Sequence, residues 1–342
     1  MSETSIAPRI DSATLGQKLD ANAPLLIVPA LAVLGFLAVR DPSAWLTLTV
    51  AGLAMGLMIF VMASGLTLVF GLMDVINFGH GAFVTVGAFV GFSVLKALGV
   101  WTEASSVALN LTAIAIALVV VVGVTGGLGL IFERAIVRPV YGSHLKQILV
   151  TLGGAIVTQQ LIIVLWGPQA FHLNRPATLR GSFLIGDAAI EIYRVAAVVL
   201  GLALFIAMRL VLNRTKIGLI VRAGVENSEM VETLGYRVRR IFVLVFVAGS
   251  ALAGFGGLMW GLYQESITSH IGSEILILVF IVVIIGGLGS VEGCFVGALL
   301  VGLMANYIGY LAPKLALISN IGLMVAVLMW RPQGLYPVVK AK

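Results

Sequence analysis

The chain has 342 residues, of which 60% are hydrophobic and 11% charged, and its mean hydropathy is +1.11. A soluble domain carries charge on about a quarter of its residues, so this composition excludes one and defines an integral membrane protein. The net charge of +6 does not point to nucleic acid, because the basic residues lie in short loops beside apolar runs, where they orient spans in the bilayer.

Apolar runs of about 20 residues recur along the chain without the alternating polarity of barrel strands, so the spans are helices that satisfy their own backbone hydrogen bonds. Residues 1–23 read as a polar tail without an apolar core and cleavage site, expected to stay in the cytoplasm. Ten spans follow, at 24–39, 44–72, 76–97, 105–131, 147–166, 193–213, 241–263, 272–286, 293–311 and 315–330. The first is short, and nine spans with an interfacial first helix is the alternative. The expected class is therefore an all-α polytopic membrane protein with a transmembrane body over 24–337 and a short tail at 338–342. With both termini in the cytoplasm, six basic residues (Arg40, Lys96, Arg175, Arg180, Arg194 and Lys314) fall outside and the remaining fifteen inside, as the positive-inside rule requires.

The second span runs into a glycine-rich break, GLMDVINFGHG (71–81), which sets Asp74, Asn77, His80 and Gly81 among apolar neighbours. A carboxylate in mid-membrane costs about 2.5 to 3.5 kcal/mol on insertion scales, so Asp74 belongs to a hydrated membrane edge, to a gate or translocation path, or to a proton relay with His80. The Met55, Met58 and Met62 stripe reads as packing, and Trp101, Trp166 and Trp330 as interfacial anchors. The loop at 167–193 contains Pro168, Pro176, Gly181 and Gly186 and is expected to be ordered by turns, with Arg175 and Arg180 as solvated charges or, alternatively, as contacts for an acidic partner.

The largest inner loop, 214–240, carries six bases, Arg214, Lys216, Arg222, Arg237, Arg239 and Arg240. Its acids Glu226, Glu229 and Glu232 follow at i, i+3 and i+6, which spreads them over one side of a helix. A charged amphipathic helix held on the inner side of a membrane protein is a docking surface for a soluble partner. Near the end, GGLGSVEG (286–293) forms a second break, with Gly287, Gly289 and Ser290. It reads either as close helix packing through small residues or as paired helix ends facing a passing solute. SGLTLVFGLM (64–73) and SALAGFGGLM (250–259) are alike and would form an inverted repeat, while GAFVTVGAFVG (81–91) and GCFVGALLVG (293–302) offer a rival match that is not inverted.

No catalytic reading is supported. The chain has no GxxxxGK[ST], HExxH, GxSxG or paired CxxC motif, so any ATP must be hydrolysed by another chain. The lone Cys294 has apolar neighbours and reads as an inert buried thiol. His80, His144, His172 and His270 are too scattered to hold a metal, and no cofactor is expected.

Four segments together resemble the LivH-type permease subunits of branched-chain amino acid ABC importers: SGLTLVFGLMDVINFGHGAF (64–83), RAGVENSEMVETLGYRVRRI (222–241) with GSALAGFGGLMWG (249–261), GGLGSVEGCFVGALLVG (286–302) and RPQGLYP (331–337). The likeness covers roughly 44–337, and Gly79 stands where the family's motif has Ala. It implies a subunit in a bacterial inner membrane, assembled with two ABC ATPases, a second permease (LivM-like or a second copy) and an extracytoplasmic solute-binding protein. On that pattern Gly218, Arg222, Ala223, Glu226, Glu229, Leu234 and Gly235 form the ATPase-coupling segment, and solute passes near Asp74–Gly81 and the second break. The implied solutes are branched-chain amino acids, with urea, short amides and aromatic acids as alternatives. An ion- or proton-coupled carrier, motivated by Asp74 and His80, and a passive channel or scaffold are the competing classes.

Overall fold

The computed structural model describes residues 15–226 and 228–336. Its helices are α1 (Leu15–Val39), α2 (Pro42–Met73), α3 (His80–Ala97), the short α4 (Gly99–Thr102), α5 (Val107–Phe132), α6 (His144–Trp166), α7 (Ile192–Arg214), α8 (Lys216–Glu226), α9 (Ser228–Thr233), α10 (Val238–Gln264), α11 (Ile271–Gly286), α12 (Val291–Leu311) and α13 (Ala316–Trp330). Among the described residues, eight helices are long and apolar enough to cross a membrane, and Leu26–Val39 and Ile271–Gly286 are shorter apolar helices. Together they occupy the ten predicted segments. The helix holding the first segment begins at Leu15, well before Pro24, and contains Pro24 and Pro29. The third begins at His80 instead of 76, because residues 74–79 are not helical.

Burial sorts the helices into layers. The apolar window of α2 is 78% buried, against 11% for α6, α7 and α13, so α2 runs through the centre while the others turn most of their surface outward. Small residues let α2 approach its neighbours. A Cβ on Gly65 would stand 2.5 Å from the carbonyl oxygen of Gly249 in α10, and Gly256 of α10 faces Met62. These pairs run in opposite order, so α2 and α10, the helices that hold the two similar decapeptides, are antiparallel. Lipid tails are as apolar as the side chains, which makes close packing the main source of cohesion here.

Two long helices end alike. Asp74 caps α2 and Glu265 caps α10, both in the left-handed region (φ 51° and 53°). In each case a non-helical stretch leads to a shorter helix, α3 or α11. The Nε2–H of His80 donates to the carbonyl of Met62 at 2.8 Å, so α3 starts about two thirds of the way along α2, inside the bundle. At that level the two short helices touch by their first turns, where a Cβ on Gly81 would lie 2.5 Å from the Gly272 oxygen. From this crossing α3 extends about 27 Å towards one end and α11 about 24 Å towards the other, at 1.5 Å per residue for 18 and 16 residues.

The loop after α6 is ordered by short strands and turns. Strand β1 (Phe171–His172) pairs antiparallel with β4 (Ser266–Ile267), and β2 (Ser182–Ile185) with β3 (Ala188–Glu191). Gly186 opens the two-residue turn of the second pair at φ 61°, as a type II′ turn prefers. Arg175 departs from its expected role as a solvated charge. Its side chain is 11% exposed, ion-paired with Glu191 and Glu265, stacked on Tyr193, and hydrogen-bonded to the carbonyls of Leu262 and Tyr263. It thereby caps the last turn of α10, whose carbonyls have no partner within the helix. Arg180 does pair near the surface, with Glu103, and its guanidinium holds that carboxyl below the usual range.

Candidate translocation and coupling site

The segment between α2 and α3 rises from the basic end of the bundle to its middle, and α6 holds it in place. Gln147 and Thr151, both buried, receive the backbone N–H groups of Ile76 (3.4 Å) and Phe78 (3.2 Å). Extended backbone at membrane depth persists only where protein or water satisfies it, and these two side chains do so. Neither was named from sequence. Their signal is a pair of polar residues at i, i+4 in the first half of α6, which places both on one face. Thr151→Val is expected to leave the Phe78 N–H unpaired and to cost about 1–3 kcal/mol, read as a lower thermal midpoint in detergent. Thr158→Val serves as the control, since Thr158 bonds back to Gly154 in its own helix.

The first break separates the residues that sequence grouped. Asp74 lies at the basic end with a side chain 54% exposed, 3.7 Å from His144. Asn77 and His80 are buried, and the Asn77 Oδ1 has no hydrogen-bond partner. The histidine beside Asp74 is thus His144, while His80 is bonded to Met62 higher in the bundle. Gly81 lies at the crossing with Gly272.

The second break is a tight turn at the basic end. Gly287 and Gly289 have φ of 97° and 85°, and Ser290 caps α12 by accepting the Gly293 N–H at 3.1 Å. Residues 331–336 fold over this turn, with the N–H groups of Leu335 and Tyr336 donating to Ile285 and Gly286. Gly71 of α2 abuts Gly289, so the second break meets the lower end of the first and stays away from Gly81. Glu292, in the first turn of α12, pairs with Arg209 at 3.2 Å.

The 214–240 segment forms two helices, α8 and α9, instead of the single helix that would align its three acids. Glu226 ends α8, whereas Glu229 and Glu232 belong to α9. The side chains of Arg222, Glu226 and Glu229 lie outside the described residues. Gly218 is pressed against the Val211 and Leu212 carbonyls of α7, which fixes α8 to that helix. Ala223 is half-buried, and Val221 and Gly224 are buried, Gly224 facing Leu72 at the end of α2. The opposite side stays open: Leu219 is 62% exposed, Met230 61% and Leu234 67%. Gly235, at φ 86°, closes α9 with a Schellman motif, its N–H going to Glu232 and that of Tyr236 to Val231. Nearby, a π-helical turn at Glu133–Val137 ends α5, and Tyr141 donates to the buried Glu133 at 2.5 Å.

A helical multi-pass bundle with non-helical backbone at mid-depth and an amphipathic pair of helices at one end has the form of a membrane permease. The chain belongs to the branched-chain amino acid transport system / permease component family, whose model matches residues 48–328. It is 27% identical over 293 residues to the high-affinity branched-chain amino acid transport system permease protein BraD of Pseudomonas aeruginosa, covering 84% of this chain and 94% of that protein. It is 25% identical to the LivH permease of Escherichia coli K12, covering 83% and 92% of the two chains. The LivM permease of the same strain is 29% identical over 372 residues, covering 98% of this chain and 78% of LivM.

Proposed function

We propose that this chain is a permease subunit of an ATP-driven importer in a bacterial inner membrane, carrying branched-chain amino acids or similar small polar solutes. A solute-binding protein delivers the solute, two ABC ATPases supply the energy, and a second permease, LivM-like or another copy, completes the path. The single observation that carries the coupling role is the apolar surface of Leu219, Met230 and Leu234, left open on α8 and α9 beside a cluster of bases. Family membership and the relatives' names support the transport role and the solute class.

The mechanical route follows from the packing. The ATPases grip the exposed side of α8 and α9. Since α8 is wedged on α7 through Gly218 and on α2 through Gly224 and Leu72, closure of the ATPases moves the end of α2. Asp74 and the extended segment directly follow that end, so the motion reaches the mid-bundle crossing and exchanges access between the two sides. The basic end then faces the cytoplasm, as the excess of Lys and Arg there favours.

The test is an affinity pull-down from mild-detergent membranes with mass spectrometry of co-purifying proteins, followed by uptake of radiolabelled leucine, isoleucine and valine. Recovery of an ATPase pair and ATP-dependent uptake is expected. Recovery of the chain alone after crosslinking, with uptake driven by an ion gradient, would move the carrier reading to first place.

A further inference from the structure

Where the two short helices cross, a groove opens between α6 and α11. Its cavity of about 160 Å³ is lined by Ala82, Ile156, Ile162 and Leu276, together with the polar Gln159 and Ser273. The Gln159 amide nitrogen contacts the exposed His270 ring, 2.9 Å from Nδ1 and 3.5 Å from Nε2. Glu274 follows Ser273 on α11 and is exposed, and among the described residues it forms no ion pair. His270 and Glu274 stand at i, i+4, on one side of the helix.

Depth gives this arrangement its meaning. Glu274 lies two residues past the Gly81–Gly272 contact, with most of α3 above it and most of α11 below. A carboxylate facing acyl chains there would cost about 2.5 to 3.5 kcal/mol, so the exposed side of α11 faces water, a polar ligand or the second permease, and not lipid. The carboxylate of Glu274 and the imidazole of His270, four residues apart at the start of α11, adjoin an apolar cleft through Ser273 and Gln159, which line it. Those are the three features that recognise an ammonium, a carboxylate and an aliphatic side chain on one small molecule.

We propose that the α6–α11 groove is a transit site for a zwitterionic amino acid with an aliphatic side chain. Glu274 receives the ammonium, His270 faces the carboxylate, and Ile156, Ile162 and Leu276 take the side chain. This rests on the importer reading above and adds where in the chain the solute is held. The open side of the groove is closed in the assembled importer by the second permease.

The experiment uses the complete complex, with its ATPases, second permease and binding protein, reconstituted in proteoliposomes. Glu274→Gln is expected to lower ¹⁴C-leucine uptake at least tenfold, with Glu274→Asp restoring part of it. Independently, Ser273→Cys is expected to react with a charged, water-soluble methanethiosulfonate, at least fivefold more slowly when leucine is present. The native Cys294 is buried and contributes no background. A wild-type complex that hydrolyses ATP yet carries no leucine, isoleucine or valine overturns the amino-acid reading. Leucine uptake that Glu274→Gln leaves unaltered, or a Ser273→Cys variant that does not react, overturns the site alone.

Discussion

Replacing Met230 and Leu234 together by glutamate is expected to abolish ATP-dependent uptake and the co-purification of the ATPases, while the protein still inserts and folds. Both side chains are more than half exposed, so folding loses little, about 0.5 kcal/mol or less for a surface change. At an interface the same side chains are anchors. Hot-spot residues are worth about 2 kcal/mol each or more, and two of them together amount to about a thousandfold in affinity, at tenfold per 1.4 kcal/mol. Val100→Glu is the control. Val100 is 86% exposed in α4, at the end of the bundle away from α8 and α9, and its replacement is expected to leave uptake unchanged. Retention of the ATPases by the double variant would show that this surface is not where they dock.

Gly272→Ala is expected to destabilise the bundle by about 3 kcal/mol or more, beyond most single-methyl insertions. The added Cβ would fall on the Gly81 carbonyl oxygen, with the Thr85 hydroxyl close on its other side. A flexible side chain could swing away, but the carbonyl belongs to the first turn of α3 and cannot. Thr85 also receives the Gly272 N–H at 3.1 Å, so separating the helices breaks that bond as well. In contrast, Gly127→Ala in α5 meets nothing within 4 Å and is expected to be neutral or slightly stabilising, because glycine inside a helix costs up to about 1 kcal/mol. Thermal unfolding followed by fluorescence in detergent compares the two. A Gly272→Ala protein as stable as Gly127→Ala would mean that α3 and α11 do not cross in contact.

Both expectations depend on features that were unequally visible beforehand. The 71–81 break was legible because glycines and three polar residues interrupt an apolar run that would otherwise cross the membrane. The matching interval before α11 was not: Glu265 to His270 reads as an ordinary loop between two spans, and nothing in its composition gives its depth. It reaches mid-bundle because Gly272 can approach Gly81 within backbone contact, a relation between positions 191 residues apart in sequence. Likewise the bases and amphipathic residues of 214–240 marked a charged amphipathic segment between two spans, but its division into α8 and α9 follows from how α8 packs on α2 and α7. Arg175 looked like a loop charge until Tyr193, Glu191 and Glu265 were seen to surround it.

By itself, then, the sequence determined that the chain is a helical membrane protein, where its spans lie, which loops are basic and where one run is broken. Each of those is a local property, fixed by a run of apolar side chains exceeding the bilayer thickness or by charge beside it. The tertiary structure alone decided which broken ends meet, that Gln147 and Thr151 hold the extended backbone, and that Glu274 and His270 stand exposed at mid-depth. Those depend on helix approach through small residues, and a glycine carries no sign in its own sequence of which distant backbone it lets in.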